Sequence, residues 1–105
     1  VNNRELLELA AEAAGLAWEW NACSGSIEHI PKGYRFYVKW NPLLDDGDAF
    51  RLMIKLRIQI EYVDEMDSVM CSLPGSMGAT SVAAIGDVEL RYAIVQAAAQ
   101  LGATL

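Results

Sequence analysis

The sequence predicts an α+β fold with elements in the order α-β-β-α-β-β-α: one four-stranded, mainly antiparallel sheet packed with three helices. Three observations carry that expectation. Apolar residues recur at helical spacing in 4–15, 48–56 and 88–102. The runs "LAWEWN", "YRFYVKW" and "RIQIEYV" alternate with a period of two, as half-buried strands do. Gly, Pro, Ser and Asn concentrate between these runs, where the chain must turn. With 105 residues and 53% of them apolar, there is material for one hydrophobic core, so residues 1–105 read as a single domain and disorder is excluded.

The first helix, "RELLELAAEAAG", has Asn2 and Glu5 at capping-box spacing and Gly15 as its stop. Leu6, Leu9, Ala10 and Ala13 form its apolar stripe. Strand 16–21 follows, with Leu16, Trp18 and Trp20 on one face. Residues 22–33, "ACSGSIEHIPKG", are rich in turn formers and read as a loop. In strand 34–40, Tyr34, Phe36, Val38 and Trp40 point one way and Arg35, Tyr37 and Lys39 the other. Ala49, Leu52, Met53 and Leu56 give the second helix its stripe. Ile58, Ile60 and Tyr62 are the inward side of the third strand, "DEMD" is a turn, and "SVMCSL" is the fourth strand. Residues 74–86 read as a loop with at most one helical turn. Asp87 caps the last helix, whose stripe is Leu90, Ala93, Ile94, Ala97 and Leu101, and Gly102 ends it. The first two α-β-β units echo each other.

Net charge is −6, from eight basic and fourteen acidic residues. Phosphate neutralisation needs clustered Lys and Arg, so nucleic acid is disfavoured as a partner. The carboxylates are scattered, apart from Glu61, Asp64, Glu65 and Asp67, which favours a solvated surface over nucleic-acid mimicry. The apolar stretches fall short of the ~18 residues a membrane span needs, and no charged leader with an apolar core opens the sequence. A soluble cytoplasmic protein is expected. Cys23 and Cys71 lack CxxC spacing and read as free thiols, and His29 is the lone histidine.

Three stretches could carry chemistry. "PGSMGATS" has the look of a phosphate cradle, but no Lys or Arg lies between Arg57 and Arg91 to reach a phosphate. Arg35, Tyr37 and Lys39 place an aromatic between two cations, a way to hold a nucleotide or a partner, and equally the outer face of an ordinary strand. In "WNPLLDDGDAF", Asp45, Asp46 and Asp48 could cradle a metal. Yet Pro42 ends a strand at Trp40, Asp45 suits an N-cap, Asp46 and Asp48 suit a helix first turn, and Arg51 is within reach of Asp48. EF-hand offsets are missing, so neither a metal nor a cofactor is expected.

"WNPLLDDGDAFRLMIKL", with the leading "NNRELLELAAEAAG" and the closing "RYAIVQAAAQLG", resembles the phage αβα-sandwich domain family of short tailed-phage and prophage proteins. The resemblance covers nearly the whole chain. Its specific part is Trp40, Asn41, Pro42, Asp45, Asp46, Asp48 and Ala49, with Arg91 and Ala93. It implies a helix–sheet–helix sandwich and a phage-encoded protein of the bacterial host cytoplasm; it brings no activity, catalytic residue or cofactor. The expected function is a non-enzymatic accessory module binding a host or phage protein, with inhibition of a bacterial defence system as one such role. The alternative is a small-ligand or nucleotide-binding (sponge) protein, using Tyr37 with Arg35 and Lys39, or Trp18 and Trp20. A metal-dependent enzyme built on the three aspartates comes third. Self-association through Tyr37 or an unpaired edge strand stays open.

Overall fold

The computed structural model describes residues 2–76, 79–82 and 85–105. Helix α1 (Asn3–Ala13) begins where the Asn2 side chain accepts a hydrogen bond from the Glu5 amide at 2.9 Å. It ends at Gly15, whose φ of 72° costs a residue without Cβ nothing. Strands β1 (Trp18–Asn21), β2 (Ser26–His29) and β3 (Val38–Trp40) follow. After helix α2 (Asp46–Leu56) come β4 (Gln59–Val63), β5 (Ser68–Ser72) and β6 (Ala79–Val82), then helix α3 (Asp87–Gly102).

The class is α+β with three helices, but the strands do not join into one four-stranded sheet. They form two small antiparallel sheets, one of β1, β2 and β3, the other built on the β4–β5 hairpin with β6 along the far edge of β5. The difference originates at β2, which lies inside the stretch expected to be a loop. Asn21 folds the chain back: its side-chain oxygen accepts from the Cys23 and Ser24 amides, and Gly25 takes φ 66°. That turn puts Ile27 between Trp20 and Trp40 as cross-strand neighbours, and Ile27 becomes completely buried. Burying one such side chain contributes about 1.5–3 kcal/mol, enough to fix a four-residue strand among turn formers.

The expected strand 34–40 survives only as Val38–Trp40. At the observed register the next partners would be Ile30 with Tyr37 and then Pro31 with Phe36, and proline has no N–H to donate to a ladder. Instead, Pro31 to Tyr34 form a turn, with Gly33 at φ 89° and the Tyr34 amide bonded to the Pro31 carbonyl. Tyr34 and Phe36, expected on one strand face with Val38 and Trp40, are therefore exposed. Tyr62 is also exposed, although Ile58 is buried and Ile60 half-buried as expected. Arg57 adopts the left-handed conformation that ends α2, so β4 starts two residues later than the alternation implied. Within the expected loop 74–86, β6 pairs with β5; residues 77, 78, 83 and 84 lie outside the described residues.

Helix α3 is the centre of the molecule. Ala93, Ile94, Val95, Ala97, Ala98, Ala99 and Gly102 are buried, more than one amphipathic stripe, because α3 meets α1, α2, β5 and β6. The core is completed by Leu6, Leu7 and Ala10 from α1, Leu52 from α2, and Val69 and Cys71 from β5. Asp87 is the first residue of α3 rather than its cap; Gly86 holds that place, with extended backbone and no side-chain cap. Helix α3 does end at Gly102, but Gly102 is its last helical residue rather than a left-handed residue just beyond it. A Cβ there would collide with the backbone of Leu9.

Candidate functional site

The segment from Trp40 to Arg51 is a strand end, a turn and a helix start locked by their own side chains. Trp40 is buried at the end of β3. The Asn41 side chain accepts from the Leu43 amide at 3.0 Å, and its carbonyl accepts from the Leu44 and Asp45 amides. Pro42 is fully buried. Asp45 caps α2 by accepting from the Asp48 amide at 2.8 Å. One oxygen of Asp48 accepts from the Asn41 amide at 2.9 Å and the other from the Arg51 guanidinium at 2.8 Å.

Arg91 reaches this segment from α3. Its Nε donates to the Leu43 carbonyl at 2.9 Å, and its terminal nitrogen donates to Asp46 at 2.5 Å, with Asp87 farther off at 3.5 Å. The bond to Asp46 raises the guanidinium pKa, so the fork stays charged. The three aspartates thus turn to an amide, a guanidinium, or both. Among the described residues, no three His, Cys, Asp or Glu side chains come together as a metal-holding group.

The strip proposed on one strand face does not assemble. Lys39 is on β3 opposite Glu28, whereas Arg35 and Tyr37 lie in the irregular segment before it, and all three are exposed. There the Tyr34 and Phe36 rings meet edge to face, with centroids 5.6 Å apart at 71°. The cation–π contact falls elsewhere, with Arg4 over Trp20 at 4.5 Å. What the segment 30–37 does offer is an apolar and basic surface. Ile30, Tyr34, Phe36 and Tyr37 are 47–64% exposed, a share that leaves most of each ring or chain available to a partner. Lys32 and Arg35 are interleaved among them and exposed.

Beside that segment, a groove of about 410 Å³ opens between α2 and the first sheet. Leu16, Val38, Trp40 and Leu52 give it apolar walls, with Lys39, Arg51 and Lys55 as its cations. His29 also lines it. Burial lowers the His29 pKa from its usual value, and the negative charge of Asp48 opposes that shift only in part, so the imidazole is neutral at pH 7. Sequence reasoning missed this groove. The signal was there: Asp48, Arg51, Leu52 and Lys55 recur at i, i+3, i+4 and i+7 and share a face of α2.

The cysteines take opposite environments. Cys23 is exposed in the β1–β2 turn, and Cys71 is buried in β5, where burial pushes its thiol up to about 11. No described helix is long and apolar enough to cross a membrane. Comparison of the chain with protein-family models, curated proteins and solved structures gives no match.

Proposed function

We propose that this chain is a non-enzymatic binding module that engages a protein partner through segment 30–37. The observation that carries this reading is the exposure of Ile30, Tyr34, Phe36 and Tyr37 within eight consecutive residues, interleaved with Lys32 and Arg35. Aromatic and arginine side chains are the residue types enriched at the cores and hot spots of protein interfaces. The surrounding surface is acidic overall, at a net charge of −6, which works against nucleic acid as the partner. The resemblance in "WNPLLDDGDAF" and Arg91 supports a phage or prophage accessory protein acting in the host cytoplasm on a host or phage protein. Inhibition of a bacterial defence system belongs to that class.

The test is affinity capture from host and infected-cell lysates with the wild type and with a Phe36→Ser/Tyr37→Ser variant. Both positions are exposed and outside regular structure, so the variant should keep the wild-type melting temperature. One specific protein recovered by the wild type and lost by the variant is the expected result. Repeated capture without any specific partner, or one unaffected by the variant, rules the reading out.

A further inference from the structure

We propose that the groove between α2 and the first sheet is a binding site for a small aromatic phosphate monoester: a dianionic head attached to a planar apolar body. This goes beyond the protein-binding reading of segment 30–37: the groove shares Pro31 and Tyr34 with that segment, but its cations, Lys39, Arg51 and Lys55, lie outside it.

The charge distribution is the first argument. The chain carries −6, yet three of its eight basic residues line this one groove against a single carboxylate. Pro31 and Tyr34 of the adjoining segment belong to its wall. The lone carboxylate is already satisfied, since both oxygens of Asp48 are engaged by the Asn41 amide and Arg51. It therefore repels an incoming anion less than a free carboxylate would.

The second argument is that its lysines are uncommitted. Arg4, Arg51 and Arg91 each have a carboxylate partner. Among the described residues, Lys39 and Lys55 have no ion pair, even though Lys39 sits opposite Glu28 in the sheet. Two unpaired ammonium groups beside a neutral imidazole can receive a doubly charged head. His29, on the same wall, can donate a ring N–H to that head.

The third argument is size and shape. About 410 Å³ falls in the range of small-molecule sites. Leu16, Val38, Trp40 and Leu52 offer apolar contact for a ring, and Tyr34 stands half-exposed at the wall. Charges in salt are screened over about 10 Å, so the local excess of cations governs a small anion. A long polyanion would have to cross the acidic remainder of the surface.

Titration calorimetry with AMP and phenyl phosphate tests the site, with adenosine, phenol and inorganic phosphate as separate arms. Quenching of tryptophan fluorescence gives a second readout, because Trp40 lines the groove. Saturable binding of a phosphate monoester, weaker binding of inorganic phosphate, and none by adenosine or phenol is the expected pattern. Lys55→Glu should weaken it at least about tenfold, the loss of one charge-assisted hydrogen bond. Arg57→Gln, a charge change outside the groove lining, should leave it unchanged. The proposal is overturned if neither monoester binds, if adenosine binds as well as AMP, if inorganic phosphate binds as tightly as the monoesters, or if Lys55→Glu binds like wild type. Phe36→Ser/Tyr37→Ser should retain monoester binding while losing the protein partner, so the two readings fail separately.

Discussion

Arg91 on α3 donates its Nε–H to the carbonyl oxygen of Leu43, 48 residues earlier in the chain, at 2.9 Å. The same guanidinium holds Asp46 in the first turn of α2. One side chain therefore joins the proline turn, the start of α2 and the central helix. That gives "WNPLLDDGDAF" and Arg91 a shared physical reason to occur together: the turn presents a carbonyl and an aspartate in the geometry of a guanidinium fork.

Arg91→Lys should consequently behave as a disruptive change. A single ammonium cannot reproduce the planar fork that serves a carbonyl and a carboxylate together. The melting temperature should fall for Arg91→Lys and further for Arg91→Leu. Hydrogen exchange should speed up at residues 41–46 before it does in α1. Equal melting temperatures for Arg91→Lys and wild type would mean the fork is not holding the turn.

The aspartates of the motif should separate by stability. Asp45 makes the N-cap bond to the Asp48 amide, so Asp45→Ala should cost about 1 kcal/mol. Asp48 satisfies the part-buried Asn41 amide and also pairs with Arg51, and losing it strands that amide at a cost of about 1–3 kcal/mol. Urea denaturation should rank Asp48→Ala below Asp45→Ala, with protein-partner binding retained by Asp45→Ala. Partner binding lost at unchanged stability would restore the aspartates as a functional site.

The helices and the α+β class were legible because their signals are local: Asn2 with Glu5 and Asp45 with Asp48 are fixed by nearest neighbours. The sheets were less legible, because β2 exists through Ile27 meeting Trp20 and Trp40, a contact no short window contains. The Tyr34–Trp40 alternation misled for a related reason. Four of its residues have no partner strand once Pro31 interrupts β2's continuation. The groove was hidden similarly, since His29, Tyr34 and Lys55 come from three segments brought together only by folding.

His29 gives the fold a pH dependence with a definite sign. Its pKa in the folded protein lies below the usual 6.5, through burial, with Asp48 opposing. The unfolded chain therefore binds the proton more tightly. The stabilisation from neutral His29 is complete above the unfolded value and is lost as pH falls through the folded one. The melting temperature should drop as pH falls below the usual histidine value of 6.5, and His29→Gln should flatten that slope. Parallel slopes for the two proteins would assign the proton uptake to another group.

Gly102 tests how closely α1 and α3 approach. In an exposed helix interior, Gly→Ala stabilises by about 1 kcal/mol, because glycine loses more backbone entropy on folding. At Gly102 the sign should reverse. The residue is buried in α3, and a Cβ there would run into the carbonyl carbon and oxygen of Leu9, atoms that cannot rotate away as a side chain would. Relief requires the two helices to separate, and overpacking of this kind costs about 1–3 kcal/mol. Separation would also loosen the alanine-rich contact of α1 with α3, in which Ala10, Ala11, Ala97 and Ala98 are all completely buried. Gly102→Ala should therefore unfold at lower urea concentration than wild type. Gln100→Ala, at an exposed position of the same helix, should match or exceed wild type. A stabilised Gly102→Ala protein would show that the helices are not in backbone contact at Leu9.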